Sequence, residues 1–178
     1  MIENFTSQLG TIAYAWGGLI PDIYNDKILR EHDDVEHLVL NIYDYIPKLQ
    51  EMFTSEGWNT EILENGDLRV KKDGAKLHLG HLEVSDKARW YHNGKKGVIV
   101  FPESWLNPNP IQFQGMKIHA VYPEFQYALK TNPSLMNPGW QPRQKDKDDT
   151  KRLEELLVKR NIRKDTLASQ IESIILNN

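Results

Sequence analysis

The chain has 178 residues, a hydrophobic share of 39% and a formal net charge of −3, which fits one globular core with a helical appendage and excludes a disordered chain. Slight acidity argues against general nucleic-acid binding, which needs a basic surface, but allows a small anionic ligand in a local basic pocket. The absence of cysteine removes disulfides and thiolate chemistry. With no signal-like start and no apolar run of bilayer length, the expected compartment is the cytoplasm and no membrane partner is expected.

Residues 3–9 read as a helical turn or two ending at Gly10, and residues 11–16 as a buried first strand rich in β-branched and aromatic side chains. Gly17-Gly18 breaks that strand. Residues 19–24 then form a short helix, with Pro21 tolerated in its first turn. A strand, a glycine pair and a helix start in succession make a place where backbone N–H groups face a phosphate; the same pattern also serves as a plain tight turn.

Residues 28–40 carry three carboxylates, Asp33, Asp34 and Glu36, ahead of an apolar run that reads as a buried strand. Strand side chains alternate, so Asp34 and Glu36 share one face, roughly 7 Å apart, and can converge on a divalent cation with oxygen ligands. Residues 41–53 form an amphipathic helix, with Ile42, Tyr45, Ile46, Leu49 and Phe53 at helical spacing. Strands follow at 60–63, 68–71 and 75–84, joined by turns at Asn65-Gly66 and Asp73-Gly74. In the last of these the alternation slips between Leu79 and His81, which predicts a β-bulge at Gly80. An isolated His-x-x-His across that slip, His78 and His81, is a poor zinc site.

Residues 85–96 lack periodicity and read as an irregular excursion, 97–101 as a strand and 102–110 as a Pro- and Asn-rich loop. Gln114-Gly115 joins a second hairpin, and a helix runs from Pro123 through Lys130. A loop able to move spans 132–142, and the remainder is expected to be helical, over 146–159 and 161–176. Trp90-Tyr91 and Trp140 fall in expected loops, open either to stacking on a ligand or to packing.

In order, Gly17-Gly18, Arg30-Glu31-His32-Asp33-Asp34-Val35-Glu36, Ala128-Leu129-Lys130 and Lys145-Asp146-Lys147-Asp148-Asp149 resemble the motifs of the nucleotidyltransferase superfamily, in the branch of the aminoglycoside and lincosamide nucleotidyltransferases. The resemblance runs from about Trp16 to Leu157. It implies an α+β fold, a mixed β-sheet flanked by helices with a small C-terminal helical region: residues 1–130 as the nucleotidyltransferase-like unit and 131–178 as a helical segment packed on it. It also implies Mg²⁺ on Asp34 and Glu36, and a nucleoside triphosphate held by Gly17, Gly18, Arg30, Lys130 and Lys145. A small-molecule hydroxyl would attack the α-phosphorus and pyrophosphate would leave. Nucleotide and acceptor are the implied partners, with no nucleic acid.

Two departures stand out. Glu36 replaces an Asp of the family pattern, moving its carboxylate by roughly 1.5 Å against the strict distances of Mg²⁺. The strand pattern Asp-hydrophobic-His, which would supply a third carboxylate, is matched by Lys76-Leu77-His78. An ammonium at Lys76 facing Asp34 and Glu36 would compete with metal; at ~4 Å and an effective dielectric of about 20, one such contact is worth on the order of 4 kcal/mol before desolvation. Glu83, His78 or His81 would then take over as base. Two functions stand: nucleotidyl transfer, reduced or lost, and a nucleotide- or partner-binding relative without catalysis.

Overall fold

The structure is a computed structural model that describes residues 1–92, 97–132, 135 and 141–175. Trp140 and most of the expected 132–142 loop lie outside the described residues. Helix α1 (Ile2–Leu9) ends at Gly10 and leads into strand β1 (Ala13–Trp16). Gly17–Leu19 makes a 3₁₀ turn into α2 (Ile20–Asn25), and β2 (Val35–Leu40) follows. Helix α3 (Ile46–Ser55), β3 (Asn59–Ile62), β4 (Leu68–Lys72) and the long β5 (Ala75–Val84) come next. Strands β6 (Ala88–His92) and β7 (Gly97–Phe101), the small hairpin β8 (Ile111–Phe113) and β9 (Met116–Ile118), helices α4 (Pro123–Thr131) and α5 (Gln144–Lys159), and β10 (Glu172–Ile175) complete the chain.

The main sheet runs β1-β2-β5-β6-β7-β10, with the β3–β4 hairpin joined to β5. Its pairs are antiparallel except β2–β5, which is parallel because α3 and the β3–β4 hairpin intervene in sequence. The architecture is therefore α+β, a mostly antiparallel mixed sheet between helices. Two apolar layers form, as strand alternation requires. Ile2, Phe5, Leu49 and Phe53 of α1 and α3 pack on Val39, Val70, Leu77 and Leu79. On the other face Ile20, Ile23, Phe125, Leu129, Leu153 and Leu157 of α2, α4 and α5 pack on Leu38, Leu82, Trp90 and Ile99. Each such buried side chain contributes about 1.5–3 kcal/mol. Glu36 is in step with Leu38, so it faces the α2, α4 and α5 layer, and this parity puts it in the cleft.

Three sequence expectations change. β5 has no bulge at Gly80, because its register with β2 is unbroken from Leu77 to Leu82. The alternation slips because β5 is central and buried on both faces, and Gly80 marks where its other edge passes from β4 to β6. A Cβ on Gly80 would stand 3.0 Å from Trp90 Nε1 and 3.4 Å from Leu38 Cδ2, so the residue is small to admit Trp90. The expected excursion at 85–96 contains β6, in which Trp90 is buried against Trp16, ring centroids 4.4 Å apart. The expected helix over 161–176 is replaced by two 3₁₀ turns and then β10, antiparallel to β7. Apolar residues at Leu167, Ile171 and Ile174 have helical spacing, but pairing with the open β7 edge overrides it. Among the described residues, no helix is long and apolar enough to cross a membrane.

Candidate active site

The Gly17-Gly18 turn, the start of β2 and the facing ends of α4 and α5 enclose a cleft of about 310 Å³. Asp34 and Glu36 form one wall. Arg30, Lys130, Arg143 and Lys145 form the other, and Trp16, Leu19 and Leu129 supply apolar surface. Seven of the residues singled out from sequence thus meet here: Gly17, Gly18, Arg30, Asp34, Glu36, Lys130 and Lys145.

Glu36 is paired with Trp16 across β1–β2, which carries its carboxylate back onto the turn. Gly17 adopts φ +74°, and a Cβ there would lie 2.0 Å from Glu36 Oε2. Gly18 gives way to Arg30 in the same manner, at 2.1 Å from its Nη2. Both glycines are therefore required by close approach, and Gly17 by backbone angle as well. The Gly17 N–H donates to Gln126 Oε1 at 2.8 Å. Burial, and then repulsion by Asp34, push the Glu36 carboxyl up to about 7 despite the pull of His78, Lys130 and Arg143. A buried carboxylate next to a second one is a donor set that gains from a shared cation.

The cationic wall is held by α5. Asp149, almost fully buried, takes two bonds from Arg30 at 3.0 and 3.2 Å, with Lys130 Nζ at 3.3 Å and Arg152 at 3.4 Å. Asp146 receives Lys130 at 3.0 Å and Arg143 at 2.8 Å. Burial raises the Asp146 carboxyl, but the bonds from Arg143 and Lys130 outweigh it and hold it at about 2. Arg30 is raised by its bond to Asp149. Four cations share these two carboxylates, so the cluster keeps two positive charges over. Lys145 pairs at 2.7 Å with exposed Asp33, which that bond lowers. His32 orients a carboxylate, Asp22, at 2.9 Å, and Asp22 also accepts the Leu29 N–H.

Two expected residues do not join them. Lys76 is exposed and, among the described residues, makes no ion pair with Asp34 or Glu36; its charge reaches Asp33 instead. By register, His78 is the β5 residue abreast of Glu36. Its Nε2 lies 2.9 Å from Asp67 Oδ2; burial lowers the imidazole, but Asp67 and the Glu36 charge together outweigh this and raise it. Glu83 lies five residues further along β5 with the opposite strand parity, holding His81 at 3.0 Å and Tyr91 at 2.8 Å. Sequence reasoning missed Gln126 and Asp67. Asp67 carried a signal, an acid closing the Asn65-Gly66 turn; Gln126 carried none.

The chain superposes on the lincosamide antibiotic adenylyltransferase LnuA in its lincomycin-bound crystal structure, with a TM-score of 0.65 at 19% identity, covering 87% of this chain and 93% of that one. It matches ANT(2'')-Ia in complex with adenylyl-2''-tobramycin at a TM-score of 0.69 and 14% identity, over 93% and 90%. The fold is that of the lincosamide and aminoglycoside nucleotidyltransferases. A solution structure of the antibiotic-resistance factor ANT(2'')-Ia agrees, at 0.68. No protein-family model matches the chain, and no curated protein matches it in sequence. At these identities the likeness establishes the nucleotidyltransferase fold, with the cleft in the region where the sequence motifs converge.

Proposed function

We propose that the cleft holds a nucleoside triphosphate with Mg²⁺ and that the protein transfers a nucleoside monophosphate to a small-molecule hydroxyl. The observation that carries this reading is the division of one cleft into an acidic wall, Asp34 with Glu36, and a cationic wall with surplus positive charge. That division suits a metal–triphosphate, whose cation and phosphates need opposite partners. Fit of the metal rests on the donor set: Mg²⁺ is held by one or two carboxylates with phosphate oxygens and water, and Glu36 and Asp34 offer two. Among the described residues no group of three or more His, Cys, Asp or Glu forms a metal cluster, so the phosphates would complete the shell. When bound, the ion would neutralise charge spread over the phosphoryl oxygens.

The chain's own residues supply position. Arg30 and Lys130 are fixed by Asp149 and Asp146, so little reorganisation would accompany phosphate binding. Gly17 and Gly18 let the Glu36 carboxylate and the Arg30 guanidinium close onto the turn, where the metal and the phosphates would meet them. Trp16, Leu19 and Leu129 offer an apolar surface for a base or an acceptor. The solved neighbours with lincomycin and adenylyl-2''-tobramycin support a small hydroxyl compound as acceptor.

A second reading, a relative that binds nucleotide or a partner without turnover, draws support from the internal pairing of Arg30, Lys130 and Lys145 with Asp149, Asp146 and Asp33. Calorimetric titration with MgATP, and with ATP plus chelator, separates the two. Metal-dependent binding accompanied by pyrophosphate release supports transfer. Binding indifferent to Mg²⁺, without release, supports the second reading, and no binding at millimolar ATP removes both.

A further inference from the structure

We propose that His78, held by Asp67, takes the proton from the attacking hydroxyl; the inference rests on the nucleotidyl-transfer reading above. The parallel register of β2 and β5 sets His78 abreast of Glu36, and residues abreast on neighbouring strands project to the same face, about 4.8 Å apart. His78 therefore stands beside the carboxylate that would hold the metal, on the flank away from the Gly17-Gly18 turn. His78 is not among the residues that line the cleft, so the acceptor would approach it over the β5 side of Glu36.

The imidazole is oriented from behind. Arg69 of β4 pairs with His78, so Asp67, two residues earlier, lies on the same side of the sheet. Its Oδ2 is 2.9 Å from His78 Nε2, and the Asp67 side chain is 2% exposed against 26% for His78. Asn65 fixes Asp67 in turn: its Nδ2 donates to Asp67 Oδ2, and its Oδ1 accepts the Asp67 N–H at 3.2 Å. With Nε2 turned to Asp67 at 2.9 Å, Nδ1 is the nitrogen left to accept a proton. A carboxylate beside one nitrogen of an imidazole, with the other left to accept, is the arrangement of a positioned base. His81 and Glu83, the other candidates, bond each other further along β5.

In the step, the acceptor O–H proton passes to His78 Nδ1 while the oxygen electron pair forms a bond to the α-phosphorus. The bond from that phosphorus to its bridging oxygen breaks, and pyrophosphate leaves with the pair. Asp67 stays ionised and stabilises the imidazolium. His78 is a catalytic residue in this scheme and Asp67 a positioning residue.

The test is pyrophosphate release from MgATP by the full chain, with lincomycin, tobramycin and water as acceptors. His78→Gln is expected to lower kcat by about a hundredfold to ten-thousandfold, with MgATP affinity by calorimetry unchanged. Added imidazole is expected to restore part of the rate to His78→Ala. Asp67→Asn is expected to lower kcat without changing MgATP affinity. Nitrogen-15 NMR of the His78 ring is expected to show the Nε2–H tautomer in the wild type and its loss in Asp67→Asn. Turnover of His78→Gln within threefold of wild type overturns the proposal. So does an Nδ1–H tautomer, or a wild type that binds MgATP but releases no pyrophosphate with any of the three acceptors. A wild type that does not bind MgATP overturns the nucleotidyl-transfer reading itself, and this proposal with it.

Discussion

Gly17 and Glu36 approach so closely that a methyl group on Gly17 would sit 2.0 Å from Glu36 Oε2. The glycine turn and the acidic strand are thus one device, since the space that Gly17 leaves is the space the carboxylate occupies. Gly17→Ala would strain a backbone at φ +74° and displace Glu36. The expected cost is about 1–2 kcal/mol from the backbone alone, read as a lower urea midpoint with an unchanged slope. Metal-dependent nucleotide binding should weaken in the same variant.

Glu36→Gln separates stability from function. Burial and the neighbouring Asp34 disfavour the charged carboxylate, so a neutral isostere should leave the metal-free protein at least as stable as wild type. Mg²⁺-dependent nucleotide affinity should fall by at least tenfold. Thermal unfolding with and without MgATP checks both: the wild type should gain Tm with MgATP and the variant should not.

Asp149→Asn should be costly, because Arg30, Lys130 and Arg152 all converge on it. Removing the buried member of such a cluster costs on the order of 3 kcal/mol, measurable by denaturant unfolding. ATP should stabilise this variant by more than it stabilises a surface control such as Asp86→Asn, since its phosphates replace the missing charge.

These two acids also show where the sequence was legible. Asp34 and Glu36 line one cleft, as alternation predicted, although β2 itself starts at Val35. The Asn65-Gly66 and Asp73-Gly74 turns form as expected, and Gly66, Asp73 and Gly74 take the left-handed backbone that suits them. Asp146 and Asp149 read equally well as a helix start, and only the packing of α5 against α2 and α4 brings them to Arg30 and Lys130. Gln126 bonds a residue 109 positions away, a distance no local pattern spans. Alternation misled at Gly80 because it assumes one wet face, and β5 has none there. The C-terminal strand was missed because Glu172-Ser173-Ile174-Ile175 fits a helix until the open β7 edge claims it.

Acid should loosen the cationic wall. Bonds from Arg143 and Lys130 hold Asp146 below its ordinary value of 3.8, at about 2, in the folded chain. A depressed carboxyl contributes stability that is complete above its unfolded value and is lost as pH falls through its folded one. Wild-type stability should therefore drop between about pH 4 and 2, and Asp146→Asn should show a shallower drop over that window in a fluorescence-monitored acid titration.

The central claim is that Asp34 and Glu36 hold a divalent ion together with a triphosphate, and Mn²⁺ in place of Mg²⁺ reports on it through its electron paramagnetic resonance signal. Titrating the wild type and the Asp34→Asn/Glu36→Gln double variant with Mn²⁺ and ATP should give a ternary complex in the wild type. In the double variant its affinity should be weakened at least tenfold. Equal Mn²⁺–ATP affinity in the two proteins, or no ternary complex in the wild type, would contradict the claim.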